Sequence, residues 1–271
     1  MENNIKLPEY NEPPIIEVAV SVEFTPLTNW TTSSALEYAK FLGAEYPKLE
    51  LQTILASEIE KFGEEIWQQA PIRLEVFNQN SHRFWYLSED SNWLIQIQQD
   101  RFVLNWRKVT GQEVYPRYAQ EVKPRFQREF EKYRNFLIQQ NIGELNTTQC
   151  ELTYVNNIPK GDNWQTVEDA TKFIALLTPT KQNKFLPELE SISLAGSYLL
   201  PNALGRLRFT INHALRDNVE VIFMNLVARG RPQSSSTEAI LSWFDIGREW
   251  IVRGFTDLTT EQAHQKWGKK I

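Results

Sequence analysis

Asn92 to Lys108, reading N-W-L-I-Q-I-Q-Q-D-R-F-V-L-N-W-R-K, constrains the fold more than any other stretch. Two alternating runs meet at Gln99-Asp100-Arg101. Trp93, Ile95 and Ile97 fall on one face of the first, and Phe102, Leu104 and Trp106 on one face of the second. A period of two over both runs is the mark of a half-buried antiparallel hairpin. A slip of one residue would turn all six apolar side chains to water, so the register is strongly specified. The chain must therefore contain antiparallel sheet with one face covered.

Other segments fit the same scheme. Ile15 to Phe24 alternates as a strand, with Ile16, Val18, Val20, Val22 and Phe24 on one face and Glu17, Ser21 and Glu23 on the other. Ser34-Ala35-Leu36-Glu37 reads as a capping box opening a helix over 35–43, and a weaker helical stretch is expected near 51–65. Ile72, Leu74 and Val76 predict a strand, and Arg83 to Leu87 another. After the hairpin, Tyr115-Pro116-Arg117-Tyr118 leads into a helix over 119–140, with Val122, Phe126, Phe130, Tyr133 and Leu137 as one apolar stripe. Pro124 sits in its first turns, where a missing amide costs little.

The order then recurs. Cys150 to Ile158 reads as a strand, 166–177 as a helix, and 190–199 as a strand. Gly205–Leu215 and Val219–Ala228 form a second hairpin across Arg216-Asp217-Asn218. Ser235-Ser236-Thr237-Glu238 caps a long helix with Ile240, Phe244, Ile251, Phe255 and Leu258 buried, and Thr259–Gln262 starts a short last one. The expected class is α+β: mostly antiparallel sheet with long C-terminal helices packed on it. The organisation is a lead-in over 1–14 and β-α-βββ-α halves over 15–143 and 148–271. No residue-level identity links the halves, so duplication and a chance similarity of element order both stay open. Two sheets could abut or merge into one, within the chain or across a homodimer.

Several pieces, in order, resemble a sporadically distributed, uncharacterised family of bacterial and archaeal proteins of similar length. They are Pro13-Pro14-Ile15-Ile16-Glu17-Val18 running to Phe24, Asn105-Trp106-Arg107, Tyr115-Pro116-Arg117-Tyr118, Phe255, Leu258-Thr259 and Trp267-Gly268. The family often carries a histidine seven positions before the residue matching Phe255. Here that position is Arg248, so no histidine chemistry carries over. The resemblance implies no activity; the patchy distribution implies an accessory role such as defence or toxin neutralisation.

Chemistry is sparse. His82, His213 and His264 show no metal-ligand spacing, and the one cysteine, Cys150, sits at a strand position where it reads as a small buried hydrophobe. There is no G-x-S-x-G elbow, no Walker loop and no G-x-G-x-x-G. Glu64-Glu65 and Glu188/Glu190 read as solvated carboxylates. No cofactor or metal is expected, and enzymatic activity is disfavoured. No run approaches the roughly 18 apolar residues of a membrane helix, and the N-terminus lacks a secretory pattern, so a cytoplasmic location is expected. A net charge of −5 argues against nucleic acid as the partner.

The most suggestive polar sets lie on strands. Arg206, Arg208, Thr210 and Asn212 share one strand face, and Arg101, Asn105 and Arg107 are arranged similarly on the first hairpin. Asn105, Arg107, Arg206 and Arg208 are thus the candidate binding residues. They could meet an acidic partner, or be arginines of a solvated face paired to glutamates such as Glu220. The leading expectation is an interaction protein holding a protein partner, or a second copy of itself. The alternative is a small-ligand or cryptic enzyme domain with a pocket between the long helix and the sheet.

Overall fold

The computed structural model describes residues 6–61, 82–161, 163–177 and 185–270. The expected strand around Ile72–Val76 lies outside them, as do Glu64 and Glu65. The strands are β1 (Glu9–Tyr10), β2 (Ile15–Phe24), β3 (Lys48–Gln52), β4 (Arg83–Leu87), β5 (Trp93–Gln98), β6 (Arg101–Arg107), β7 (Thr147–Pro159), β8 (Ser193–Leu199), β9 (Gly205–Arg216), β10 (Val219–Gly230) and β11 (Lys269–Lys270). The helices are α1 (Thr32–Leu42), α2 (Lys123–Gln139), α3 (Thr237–Leu258) and α4 (Glu261–Lys266).

Nine strands form one antiparallel sheet in the order β3-β4-β5-β6-β2-β7-β10-β9-β8. The first strands of the two sequence halves, β2 and β7, pair at its centre, with Val20 opposite Leu152. Outward from that pair, β6, β5 and β4 follow on one side and β10, β9 and β8 on the other. The chain is thus α+β, with one nine-stranded sheet running through both halves and a separate two-stranded pair, β1 with β11, among the described residues.

Register assigns the two faces. Val18, Val20 and Val22 oppose Trp106, Leu104 and Phe102 on β6, and Tyr154, Leu152 and Cys150 on β7. All nine are buried. The helices cover this face. Phe126, Phe130 and Tyr133 of α2 stack around Phe102 with ring centroids 6.0, 5.4 and 5.3 Å away. On the other half α3 lies close to the sheet, where Gly254 permits the approach: a Cβ there would sit 2.5 Å from Leu207 Cδ2. Each fully buried aromatic or aliphatic chain contributes about 1.5–3 kcal/mol, so this layer dominates the stability.

The sequence reading needs correction at several boundaries. Helix α1 starts a turn before the expected box: Thr31 is the cap, its Oγ1 accepts from Ser34 N, and the Ser34 hydroxyl returns the bond to Thr31 N. The helix expected near 51–65 is absent over its described part, 51–61, which is the end of β3 followed by extended chain. The amides of Leu55 and Glu60 bond to the side chains of Gln98 and Gln149 instead of to helical carbonyls, so tertiary partners override the local propensity. Residues 166–177 form only a 3₁₀ turn, Val167–Lys172, because Ile174 leaves to bridge Thr259. Helix α2 is preceded by a π-turn, Tyr118–Val122, with Lys123 N bonding to Tyr118 O. The Pro124 ring would press on the Gln120 carbonyl in an ordinary α-turn, and the wider turn relieves it. Helix α3 is capped by Ser236 rather than Ser235, its hydroxyl accepting from Ala239 N.

Candidate functional site

The four strand residues singled out from the sequence are not one site. Asn105 on β6 and Arg208 on β9 share a row across the sheet through Ala19, Thr153 and Val227. Four strand spacings separate them, or ~19 Å.

Asn105 is buried: its Nδ2 donates to Glu17 Oε1 at 2.6 Å and its Oδ1 accepts from Gln96 Nε2 at 2.6 Å. Burial raises the Glu17 carboxyl above its usual range, although the Asn105 bond and the Arg107 charge pull it down. Arg107 donates to Ser91 O at 3.1 Å and lies over the Trp85 ring at 5.5 Å. This pair is consumed by the scaffold.

Arg206 and Arg208 converge on Glu60. Arg208 Nε and Nη2 donate to the two Glu60 oxygens at 2.7 and 3.0 Å, and Arg206 Nη1 bonds to Glu60 Oε2. Glu60 is 2% exposed. Arg229, on β10, places Nη1 3.9 Å from it and also bonds Glu58 through Nη1 and Glu151 through Nη2. The Arg229 interactions lower the Glu58 carboxyl. The arginines are therefore paired with glutamates, but the partner is Glu60. Glu220 instead bonds Lys160 at 2.7 Å and His213 at 3.2 Å.

Residues 53–61 carry Glu60 across the polar face. Gln98 Oε1 accepts from Leu55 N and its Nε2 donates to Leu55 O, at 2.9 and 3.0 Å. Gln149 does the same three strands further along, on β7, donating to Glu58 O and accepting from Glu60 N, both at 2.9 Å. Both glutamines are buried. Neither the glutamines nor Glu60 stand out in the sequence, since amides on a strand's polar face look like ordinary solvated residues.

On the opposite, helix-covered face lies a cavity of about 290 Å³. Its floor is Tyr154 and Asn156 of β7 with Leu226 of β10, and its roof is Arg248, Ile251 and Phe255 of α3. The wall is Tyr115, Arg117 and Tyr118, and the half-open mouth is bordered by the N-terminal segment at Glu9, Tyr10 and Pro13 and by Lys270. All three wall residues belong to the Tyr115–Tyr118 stretch.

The wall is built with strain and specific bonds. Arg117 holds φ at +66°, unusual for a side chain of its size. Its Nη1 and Nη2 donate to Tyr10 O and Asn11 O at 2.8 and 2.9 Å, which fixes the N-terminal segment against the opening. The π-turn begins at the next residue. Tyr115 and Tyr154 share a hydroxyl–hydroxyl bond of 2.9 Å, and Tyr118 donates to Asp245 Oδ1 at 3.3 Å. Burial pushes all three phenols above their usual range, so they stay neutral and serve as hydrogen-bond partners.

Arg248 lies over the Tyr118 ring at 5.2 Å and its guanidinium pulls the Tyr154 phenol downward against the effect of burial. Among the described residues, no carboxylate forms an ion pair with Arg248 or Arg117. The cavity thus presents a cation between two phenol groups, over a floor of mixed polarity in which Leu226 is the apolar part. Comparisons with family models, curated proteins and solved structures find no match.

The remaining titratable candidates resolve simply. Cys150 is fully buried, and burial pushes its thiol well up. His264 is buried against Thr259 Oγ1 at 2.9 Å. No cluster of His, Cys, Asp or Glu suited to a metal occurs among the described residues. No described helix is long and apolar enough to cross a membrane.

Proposed function

We propose that this protein binds a small organic anion in the cavity between α3 and the sheet. The observation that carries the reading is Arg248: a guanidinium facing a preformed cavity, stacked on Tyr118 and beside Tyr154, in no ion pair with a described carboxylate, Glu9 of the cavity lining included. Desolvating an unpaired cation costs free energy, and a bound carboxylate or phosphate offsets that cost with charge-assisted hydrogen bonds. Ile251, Phe255 and Leu226 offer the rest of the ligand an apolar surface, and the tyrosines favour a flat ring.

The ligand is therefore a carboxylate or phosphate on a planar, largely apolar body, small enough for about 290 Å³. A thermal-shift series tests this with 4-hydroxybenzoate and phenyl phosphate against neutral 4-hydroxybenzamide. At tenfold above Kd an anion should raise Tm by ~3–6 °C, and the amide should do nothing. Arg248→Met should abolish the shift. Equal effects of acid and amide, or no effect of any anion, would reject the reading.

A further inference from the structure

Residues 53–61 are held as a bound peptide would be. They cross β5, β6, β2, β7, β10 and β9 rather than pairing with any one strand, and most of the bonds fixing them come from sheet side chains to their backbone. Gln98 and Gln149, both buried, each grip the backbone with donor and acceptor together, which suits an extended chain of almost any sequence. One buried side chain is read by charge, Glu60, enclosed by Arg206, Arg208 and Arg229, while the exposed Glu58 pairs with Arg229 at 2.9 Å. Meanwhile Leu55 and Ile59 are 37% and 45% exposed, and the half-buried Ile54 lies outside the hydrophobic core.

That arrangement is uneconomical for a purely structural connection. Two buried amides and a three-arginine carboxylate site have been built, yet the segment adds none of its residues to the hydrophobic core. We infer that the polar face carries a groove for an extended acidic peptide of a partner protein, occupied in cis by residues 53–61. The partner's chemistry follows from the groove: an extended backbone read by the glutamines, with a carboxylate at the position of Glu60. A tethered occupant competes at an effective concentration in the millimolar range, so a partner peptide gains access only when the cis contact is released or when a second contact delivers it.

The test uses the full chain and a synthetic peptide with the sequence of residues 53–61. Glu60→Pro removes both the carboxylate and the amide that Gln149 accepts, and Glu60→Gln removes the charge alone. By fluorescence anisotropy the labelled peptide should bind Glu60→Pro at least ~10-fold more tightly than wild type, Glu60→Gln falling between. Binding should weaken as salt rises, and be lost when the peptide carries Gln for its matching Glu or when Arg206→Met is added. Circular dichroism and melting establish that the variants are folded. A folded Glu60→Pro protein with no peptide binding overturns the inference, as does binding that ignores the peptide's Glu or Arg206. Collapse of both Glu60 variants overturns it too, because the segment would then be structural. None of these readings depends on the cavity under α3.

Discussion

Two arginine sites lie on opposite faces of one sheet, and they are built in opposite ways. On the polar face, Arg206, Arg208 and Arg229 close on a carboxylate supplied by the chain itself. Under α3, Arg248 faces a cavity with phenols around it and makes no ion pair with a described carboxylate, Glu9 of the cavity lining included. The first is filled and satisfied; the second is preformed and electrostatically incomplete. Pairing is the ordinary fate of a guanidinium near a protein interior, which makes the exception informative. The same residue type reads as structure where the fold supplies the anion and as a receptor where it does not.

The largest expected effect breaks the filled site. Glu60→Leu takes the shared carboxylate from Arg206 and Arg208 and should cost roughly 3 kcal/mol, because losing one partner of a buried pair leaves uncompensated charge. Urea unfolding measures it, and a loss under 1 kcal/mol would mean that water already screens the site.

Next comes the cavity. Tyr154→Phe strands the Tyr115 hydroxyl and should cost about 1 kcal/mol, whereas Arg248→Met should change stability by no more than ~0.5–1 kcal/mol, the worth of its stacking on Tyr118. If Arg248→Met proved as costly as Glu60→Leu, an acid would already satisfy Arg248 and the contrast would fail.

The smallest effect lies at neither arginine site and serves as a control. Lys172, together with the amides of Gln165 and Thr166, holds the Asp169 carboxyl down at about 2. Its folded value is below the unfolded one, so its stabilisation is complete above about pH 4 and lost as pH falls toward 2. Asp169→Asn should therefore be less stable than wild type at pH 7, with the gap closing across that window, while ligand affinity at pH 7 stays unchanged.

The elements that could be read from the sequence were those whose local pattern and tertiary role agree. The two hairpins, β2, β7, α2 and α3 alternate or repeat as their burial requires, so periodicity located them. What could not be read was decided by partners far away in sequence. Residues 51–61 have a helical look, but Gln98 and Gln149 take up their backbone groups. The four candidate contacts were correctly placed on polar strand faces, yet periodicity says nothing about which strand lies beside which, or that Glu60 would arrive. The cavity was partly legible, through Tyr115, Arg117, Tyr118 and Arg248. Tyr154 looked like plain core because its second role depends on α3 crossing above it.

A crystal soaked with 4-bromobenzoate, read by bromine anomalous scattering, tests the central claim most directly. The account predicts one strong peak in the cavity between Leu226 and Phe255, with the carboxylate on Arg248 and no such peak in Arg248→Met crystals. A peak on the polar face beside Arg206 and Arg208, or an empty cavity at saturating soak, would contradict it.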